Sequence, residues 1–178
     1  MTDDSSPERM DAAVLVPVFR DADGRLRLVL VRRADRGLHA GQIAFPGGKR
    51  ESADGSPLET ALREAEEEIG LCRESVEVLA PLAVVETMTT RFRVFPFLAR
   101  VRRQPWRVDP RELVEVLEVP VEDLLQPGAQ GEETKDFPTW PQPRRVPFLR
   151  VGDRQLWGAT YRILRPLLPR LVAGEWPL

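Results

Sequence analysis

One cysteine, one histidine and one tyrosine in 178 residues leave little of what most redox and hydrolytic sites are made from. Cys72 alone cannot close an internal disulfide. His39 alone excludes a multi-histidine zinc site. Any Ser-His-Asp triad would have to use that same histidine, and the chain has no GxSxG turn to present a serine. No apolar run nears the ~20 residues of a membrane span. The first ten residues are polar and acidic, without the basic and apolar regions of a signal peptide, so a cytoplasmic location is expected. Lys and Arg number 26 against 28 Asp and Glu, a formal net charge of -2, and that balance calls for neither a nucleic acid nor a membrane partner. Chemistry, if the chain performs any, runs on carboxylates.

The length suits one domain with a substantial core. Residues 1–10 read as a flexible tail and 11–178 as a single domain. Ala12 to Phe19 has a strand pattern, with Pro17 arguing against an interior place in a sheet. Asp21 to Gly24 is a turn, and Arg25 to Arg33 alternates, with Leu26, Leu28 and Leu30 on one face. A glycine-punctuated loop follows from Gly37 to Gly55. Ser56 begins the clearest helix: it is a capping residue, Pro57 suits the first helical position, and Glu59 completes a capping box. Leu58, Ala61, Leu62, Ala65 and Ile69 form its apolar stripe, and Gly70 stops it. Ser75 to Glu86 and Arg91 to Val101 read as strands. Glu112 to Leu125 is either one helix or a strand running into a short helix, and Pro120 favours the break. Gln126 to Pro147 reads as a long proline-rich loop. Leu156 to Val172 reads as a helix with a proline-disturbed end.

The helix after Ser56 carries the run Glu64-Ala65-Glu66-Glu67-Glu68. Glu68 and Glu67 fall about 40° and 60° to either side of Glu64, and the apolar stripe centres about 120° away. Three carboxylates therefore share a face beside the buried stripe, while Glu66 points elsewhere. Their mutual repulsion is a few tenths of a kcal/mol per exposed pair. A hard divalent cation, which takes oxygen ligands, would more than remove it. The same run is also the composition of an ordinary solvated helix face. Pro46-Gly47-Gly48, just ahead of the helix, permits close backbone approach to an ion or phosphate.

Together these segments resemble the Nudix hydrolases, whose box is G-x5-E-x7-R-E-U-x-E-E-x-G-U, with U aliphatic. Arg63 to Leu71 matches its second half at every defined position, with Ala65 as the small apolar residue. The first half departs: five residues after Gly48 comes Asp54 rather than glutamate, and eight residues separate Asp54 from Arg63. That slip is the variant of the branch similar to coenzyme A pyrophosphatases, whose preceding signature is LLTxRSxxxRxxxGxxxFPGG. Here Leu28 to Gly48 reads LVLVRRADRGLHAGQIAFPGG. Arg32, Gly41, Phe45, Pro46, Gly47 and Gly48 agree. Leu30, Arg33 and Gly37 replace the threonine, the serine and the second arginine, and Arg36 stands next to that gap. The stretch Leu156 to Leu164 resembles the closing helix of the same branch.

The resemblance implies an α/β fold, an α/β/α sandwich around a mixed β-sheet. It implies a pyrophosphohydrolase dependent on Mg²⁺ or Mn²⁺, with Glu64, Glu67 and Glu68 as ligands and a backbone oxygen at Gly48. Glu68 leads as the base within the box. A further acid from outside the box is expected, Glu112 before Glu115 or Glu86. Arg32, Arg36, Lys49 and Arg50 are candidates for substrate phosphate. The substrate implied is coenzyme A or a derivative, split to 3′,5′-ADP and 4′-phosphopantetheine products. An ADP-sugar or a dinucleotide is the alternative, and an idle nucleotide-binding module a further one. Relatives often dimerise, so a homodimer is expected as possible. Trp157 reads as core or as a ring stacked on a purine, His39 as structural, Phe45 as packing under the loop and Cys72 as a space-filler.

Overall fold

Strand β1 (Met10–Arg20) is the axis of the molecule. In this computed structural model, which describes residues 10–37, 39–87 and 91–178, it lies inside an eight-stranded mixed sheet. On one side it runs parallel to β7 (Phe92–Val101), in register from Met10↔Phe92 to Val18↔Arg100. On the other side it is shared. Ala12–Val14 pair with β4 (Gly47–Lys49), and Val18–Arg20 pair with β2 (Leu26–Arg33). Pro17 falls between those two ladders, so its missing N–H interrupts neither, and the expectation of a peripheral strand is corrected. Met10 is already strand, and residues 1–9 of the expected tail lie outside the described residues.

The sheet is completed by β3 (Ile43–Ala44) and β8 (Leu113–Pro120) against β2, and by β5 (Val76–Pro81) and β6 (Val85–Glu86) against β7. A three-stranded antiparallel sheet, β9 (Gln130–Lys135), β10 (Arg144–Val151) and β11 (Arg154–Trp157), follows. Pro120 does end a strand, and a short 3₁₀ turn at Asp123–Leu125 succeeds it. The expected loop from Gln126 to Pro147 is corrected: it contains β9 and the start of β10. Strand β9, sequence QGEETK, has no apolar alternation to betray it and is held by its ladder to β10.

Both faces of the large sheet are covered, which gives the expected three layers. Ala13, Leu15, Phe19, Val29 and Val31 pack with Ala61, Ala65 and Ile69 of helix α1 (Pro57–Ile69). Val16, Val18, Leu28 and Leu30 face the opposite way, into a core shared with Leu164, Leu167, Leu168 and Leu171 of helix α2 (Gly158–Val172). Period-two side-chain alternation divides β1 and β2 between the two cores. Helix α2 continues through Pro166 and Pro169. Each proline forgoes one i→i−4 bond, and the buried leucine stripe holds the helix together regardless.

Candidate active site

Helix α1 starts and stops where its caps say. The Ser56 hydroxyl accepts from Glu59 N–H at 3.2 Å, and Gly70 adopts the left-handed conformation at φ 66°. The Glu59 carboxylate turns to Arg73 at 3.1 Å instead of back to Ser56. The loop before β8 is tied onto the far end of the helix: Arg107 N–H donates to Ile69 O, and Asp109 N–H to Glu68 O. Ala34 N–H, just after β2, donates to Glu112 O at 2.8 Å. These bonds fasten Glu112 beside the last turn of α1, although some 45 residues separate them in sequence.

Glu68 differs from the expected solvated face. It is only 2% exposed, because β4 lies across it and Gly47 N–H donates to its Oε2 at 2.9 Å. Burial pushes its carboxyl up to about 7, and Glu64 and Glu112 push in the same direction. The Gly47 hydrogen bond and the Arg33 guanidinium oppose them. Glu64, half-buried, is also raised, chiefly by burial and against the pull of Arg63. Glu67 is exposed.

The two glycines ahead of the helix are required by close approach. A Cβ on Gly47 would stand 2.3 Å from Ala13 O, and φ there is 155°. A Cβ on Gly48 would stand 2.5 Å from the Glu64 carboxylate carbon. The box's departure at Asp54 is structurally sound. Asp54 is buried, accepts from Glu51 N–H and from the Thr60 hydroxyl, and takes a two-pronged bond from Arg63 at 2.9 and 3.0 Å. That pairing, first of all, holds its carboxyl well below the usual range. Arg63 also reaches Glu64 at 3.0 Å, Glu67 at 3.2 Å and Lys49 O at 3.3 Å. One guanidinium thus braces the helix carboxylates against the β4 loop.

The donor set of Glu64, Glu67, Glu68, Glu112 and the Gly48 backbone is all oxygen, which suits Mg²⁺ or Mn²⁺. In the arrangement shown, no three acidic side chains among the described residues close on one point. Glu68 is turned to Gly47, and Glu64 and Glu67 to Arg63.

The other predicted residues scatter. Glu115 is engaged by Arg32 at 3.0 Å and by Arg154 at 2.9 Å. Arg32 also meets Asp35 at 3.1 Å, so two carboxylates hold it. Arg36 is exposed and contributes to lowering the Asp109 carboxyl, whose main partner is Arg111. Lys49 and Arg50 are exposed, and Arg50 donates to Asp54 O at 3.3 Å. Glu86 O accepts from Arg162 at 2.6 Å. Phe45 is core, as expected. Cys72 is exposed, with Sγ 2.7 Å from Glu74, and the space-filling expectation is corrected.

Gly47 and Gly48 also line a cavity of about 450 Å³ between β1, β4 and the start of α2. Sequence reasoning missed most of it. Its aromatic end is built from His39, Phe137, Trp140 and Trp157, with ring centroids 5.7 to 6.3 Å apart. Arg33 lines it too. Trp157 was legible as core or as a ring stacked on a purine, and the cluster of aromatics at 137–140 in a polar stretch offered a further signal.

Residues 9–140 match the NUDIX domain family. A relative from Salmonella paratyphi B, described as an uncharacterized Nudix hydrolase NudL, is 36% identical over 168 residues, covering 94% of this chain and 85% of its own. The crystal structure of RenU, a Nudix hydrolase from M. smegmatis, superposes with a TM-score of 0.63 at 21% identity, over 96% of this chain and 89% of that one. The NUDIX domain of Shewanella oneidensis NrtR, cocrystallised with ADP ribose, gives 0.57 at 19%, over 70% of this chain and 81% of that one. At these identities the two structures speak for the fold. Among the described residues no helix is long and apolar enough to cross a membrane. With the box on α1, the brace at Arg63 and the family match over most of its length, the chain belongs to the Nudix family and is a Nudix-type hydrolase of nucleoside-diphosphate compounds.

Proposed function

We propose that the chain hydrolyses a diphosphate that links a nucleoside to a second group, as in an ADP-sugar or a dinucleotide, with Mg²⁺ or Mn²⁺ at the α1 carboxylates. The observation that carries this reading is the position of Glu68. It is a buried carboxylate with raised proton affinity, under the same glycine pair that walls the cavity. A diphosphate resists water because its oxygens are clustered and negative. Glu64, Glu67, Glu68 and Glu112 would hold a divalent ion, which would supply neutralisation of those oxygens and a more acidic water. Glu68, buried under Gly47 and beside Glu64 on the same helix face, is placed to accept a proton from the attacking water. Arg63 keeps Glu64 and Glu67 oriented, and Asp54 keeps Arg63 in place. Glu112 is the acid from outside the box, since it is near enough to raise both Glu64 and Glu68. Support from the comparisons lies in the ADP ribose bound by the NrtR domain.

Coenzyme A is the second reading, favoured by the agreement of Arg32, Gly41 and Phe45 to Gly48 with that branch's signature. A panel of ADP-ribose, diadenosine polyphosphates, coenzyme A and dephospho-coenzyme A, with products resolved by mass, tests both. Brisk cleavage of ADP-ribose with coenzyme A untouched selects the first. Cleavage of coenzyme A to 3′,5′-ADP, with a preference over dephospho-coenzyme A lost in Arg36→Ala, selects the second. No cleavage of any, with Mg²⁺ and Mn²⁺ supplied, defeats both.

A further inference from the structure

Glu115 stands where the two sheets meet. Strand β8 reaches it through an irregular register. Arg32 of β2 pairs with Glu115, but Arg33 pairs with Leu113, which leaves Val114 over as an exposed extra residue. In a regular strand residues two apart share a face. Here Leu113 packs into the core under α1, while Glu115 turns to the second sheet. The bulge separates Glu115 from Glu112, which is fastened beside α1.

A single oxygen of Glu115 joins the sheets. Its Oε1 accepts from Arg32 Nε at 3.0 Å and from Arg154 Nη1 at 2.9 Å. Arg32 belongs to β2 of the large sheet and Arg154 to β11 of the small one. Arg32 also donates to Asp35 at 3.1 Å, at the start of the loop that carries His39 and Gln42. Among the described residues that line the cavity, none is Arg32, Asp35, Glu115 or Arg154. The segments they tie together do line it. Arg33 follows Arg32, His39 and Gln42 follow Asp35, and Trp157 closes the four-residue strand that Arg154 opens. The apolar core between the sheets supplies attraction without direction. It does not by itself fix how β11 lies along β2. Charged hydrogen bonds are short and angular, so a carboxylate oxygen shared by two guanidinium groups does fix it.

We propose that Glu115 is a positioning residue for the cavity. Through Arg32 and Arg154 it sets β11, and with it the Trp157 wall, against the large sheet, and so governs how tightly substrate is held without touching it. The inference rests on the reading of the chain as a nucleoside-diphosphate hydrolase with its substrate beside Gly47 and Gly48. It gives Arg32 an architectural task in place of a phosphate contact.

The test joins kinetics to a signal from the wall itself. Wild type, Glu115→Ala, Glu115→Gln, Arg154→Ala, Arg154→Lys and the double variant Glu115→Ala/Arg32→Ala are compared in Mg²⁺ buffer, below their melting temperatures. The substrate is whichever of ADP-ribose and coenzyme A the wild type cleaves faster. The indole N–H resonance of Trp157, identified by its loss in Trp157→Phe, is followed in ¹⁵N-labelled protein. Glu115→Ala and Arg154→Ala should each raise KM about two- to thirtyfold, the range of indirect effects on a site, with kcat within about twofold of wild type. Both should displace the Trp157 resonance, and Arg154→Lys should recover most of the KM. Adding Arg32→Ala to Glu115→Ala should change KM by less than about twofold, because the two residues act through one contact.

An ion pair that merely stabilises the fold would lower the melting temperature and leave KM as it was, and that result overturns the proposal. A fall in kcat at unchanged KM hands chemistry to Glu115 and overturns it as well. A further large rise in KM on adding Arg32→Ala assigns Arg32 to the substrate and does the same. Should Glu115→Ala not fold, Glu115→Gln, which keeps an acceptor oxygen without the charge, decides by the same KM and kcat criteria. Failure of the hydrolase reading looks different: the wild type cleaves neither substrate. The proposal then stands if the Trp157 resonance is displaced in Arg154→Ala and falls if it is not.

Discussion

The two sides of β4 are built on opposite plans. On the α1 side the candidate ligands and their brace are charged and, Glu112 apart, local. Asp54, Arg63, Glu64, Glu67 and Glu68 lie within 15 residues, and a helix of known period sets their spacing. On the cavity side the lining is mostly apolar and comes from distant segments: residues 12–14, 33–49, 87–94, 137–147 and 157–163. Gly47 and Gly48 are common to both. The charged side is braced by direct ion pairs, and the aromatic side is held by rings in tilted and edge-to-face contact. The lesson is that a local motif suffices to set the carboxylate face, whereas the cavity exists only through long-range packing.

The sharpest way to break this division is Glu68→Gln. It should lower kcat by about 10²–10⁴-fold with Mg²⁺ supplied. It should also stabilise the metal-free protein above neutrality. A buried carboxyl whose folded value is raised from 4.5 to about 7 favours the fold fully below about pH 4.5 and loses that contribution as pH rises through about 7. Thermal unfolding across pH 4–9 in chelator should therefore show the Gln variant gaining on wild type up to about pH 8 and then levelling. An unchanged kcat would remove Glu68 from the chemistry.

Glu112→Ala should cut kcat strongly and Glu115→Ala much less, since Glu115 is occupied by Arg32 and Arg154. Side-by-side kinetics at saturating substrate check the ranking, and the reverse order hands the role to Glu115.

The shared glycines separate stability from activity. Gly47→Ala drives a methyl into the β1 backbone at a positive φ and should cost roughly 1–3 kcal/mol or more of stability. Gly48→Ala meets a side chain that can turn aside, so its penalty should fall on kcat through a displaced Glu64 more than on the melting temperature. Denaturant unfolding paired with kinetics distinguishes the two.

A smaller effect is expected at the brace. Asp54→Asn should lower stability at pH 7 by about 1–3 kcal/mol by weakening the hold on Arg63. Because the folded Asp54 carboxyl is depressed below 3.8, its contribution is complete above that value and fades as pH falls further. The gap between variant and wild type should therefore narrow in acid. Urea midpoints measured between pH 2 and 7 check it, and a gap that widens in acid contradicts the brace. Cutting the more exposed pair at the end of β2, with Asp35→Ala, should change stability by less than about 1 kcal/mol.

The helix limits, the carboxylate spacing and the family box were legible in the residues alone, because capping, left-handed stops and the 3.6-residue period act over one or two turns. The layered α/β class was legible for a related reason, through the strand patterns and the motif. Burial was not. Glu68 lies on the computed helix face but under β4, and only the packing of Gly47 against Ala13 puts it there. Strand β9 escaped notice because its residues show no alternation and its partner strand supplies the pairing. Pro17 misled because a proline's harm depends on which edge its nitrogen faces, and β1 changes neighbours at that point. The fastening of Glu112 to α1 and the meeting of His39, Phe137, Trp140 and Trp157 depend on contacts across dozens of residues. Local propensity carries no record of such contacts, and the folded sheet with its two cores brings them about.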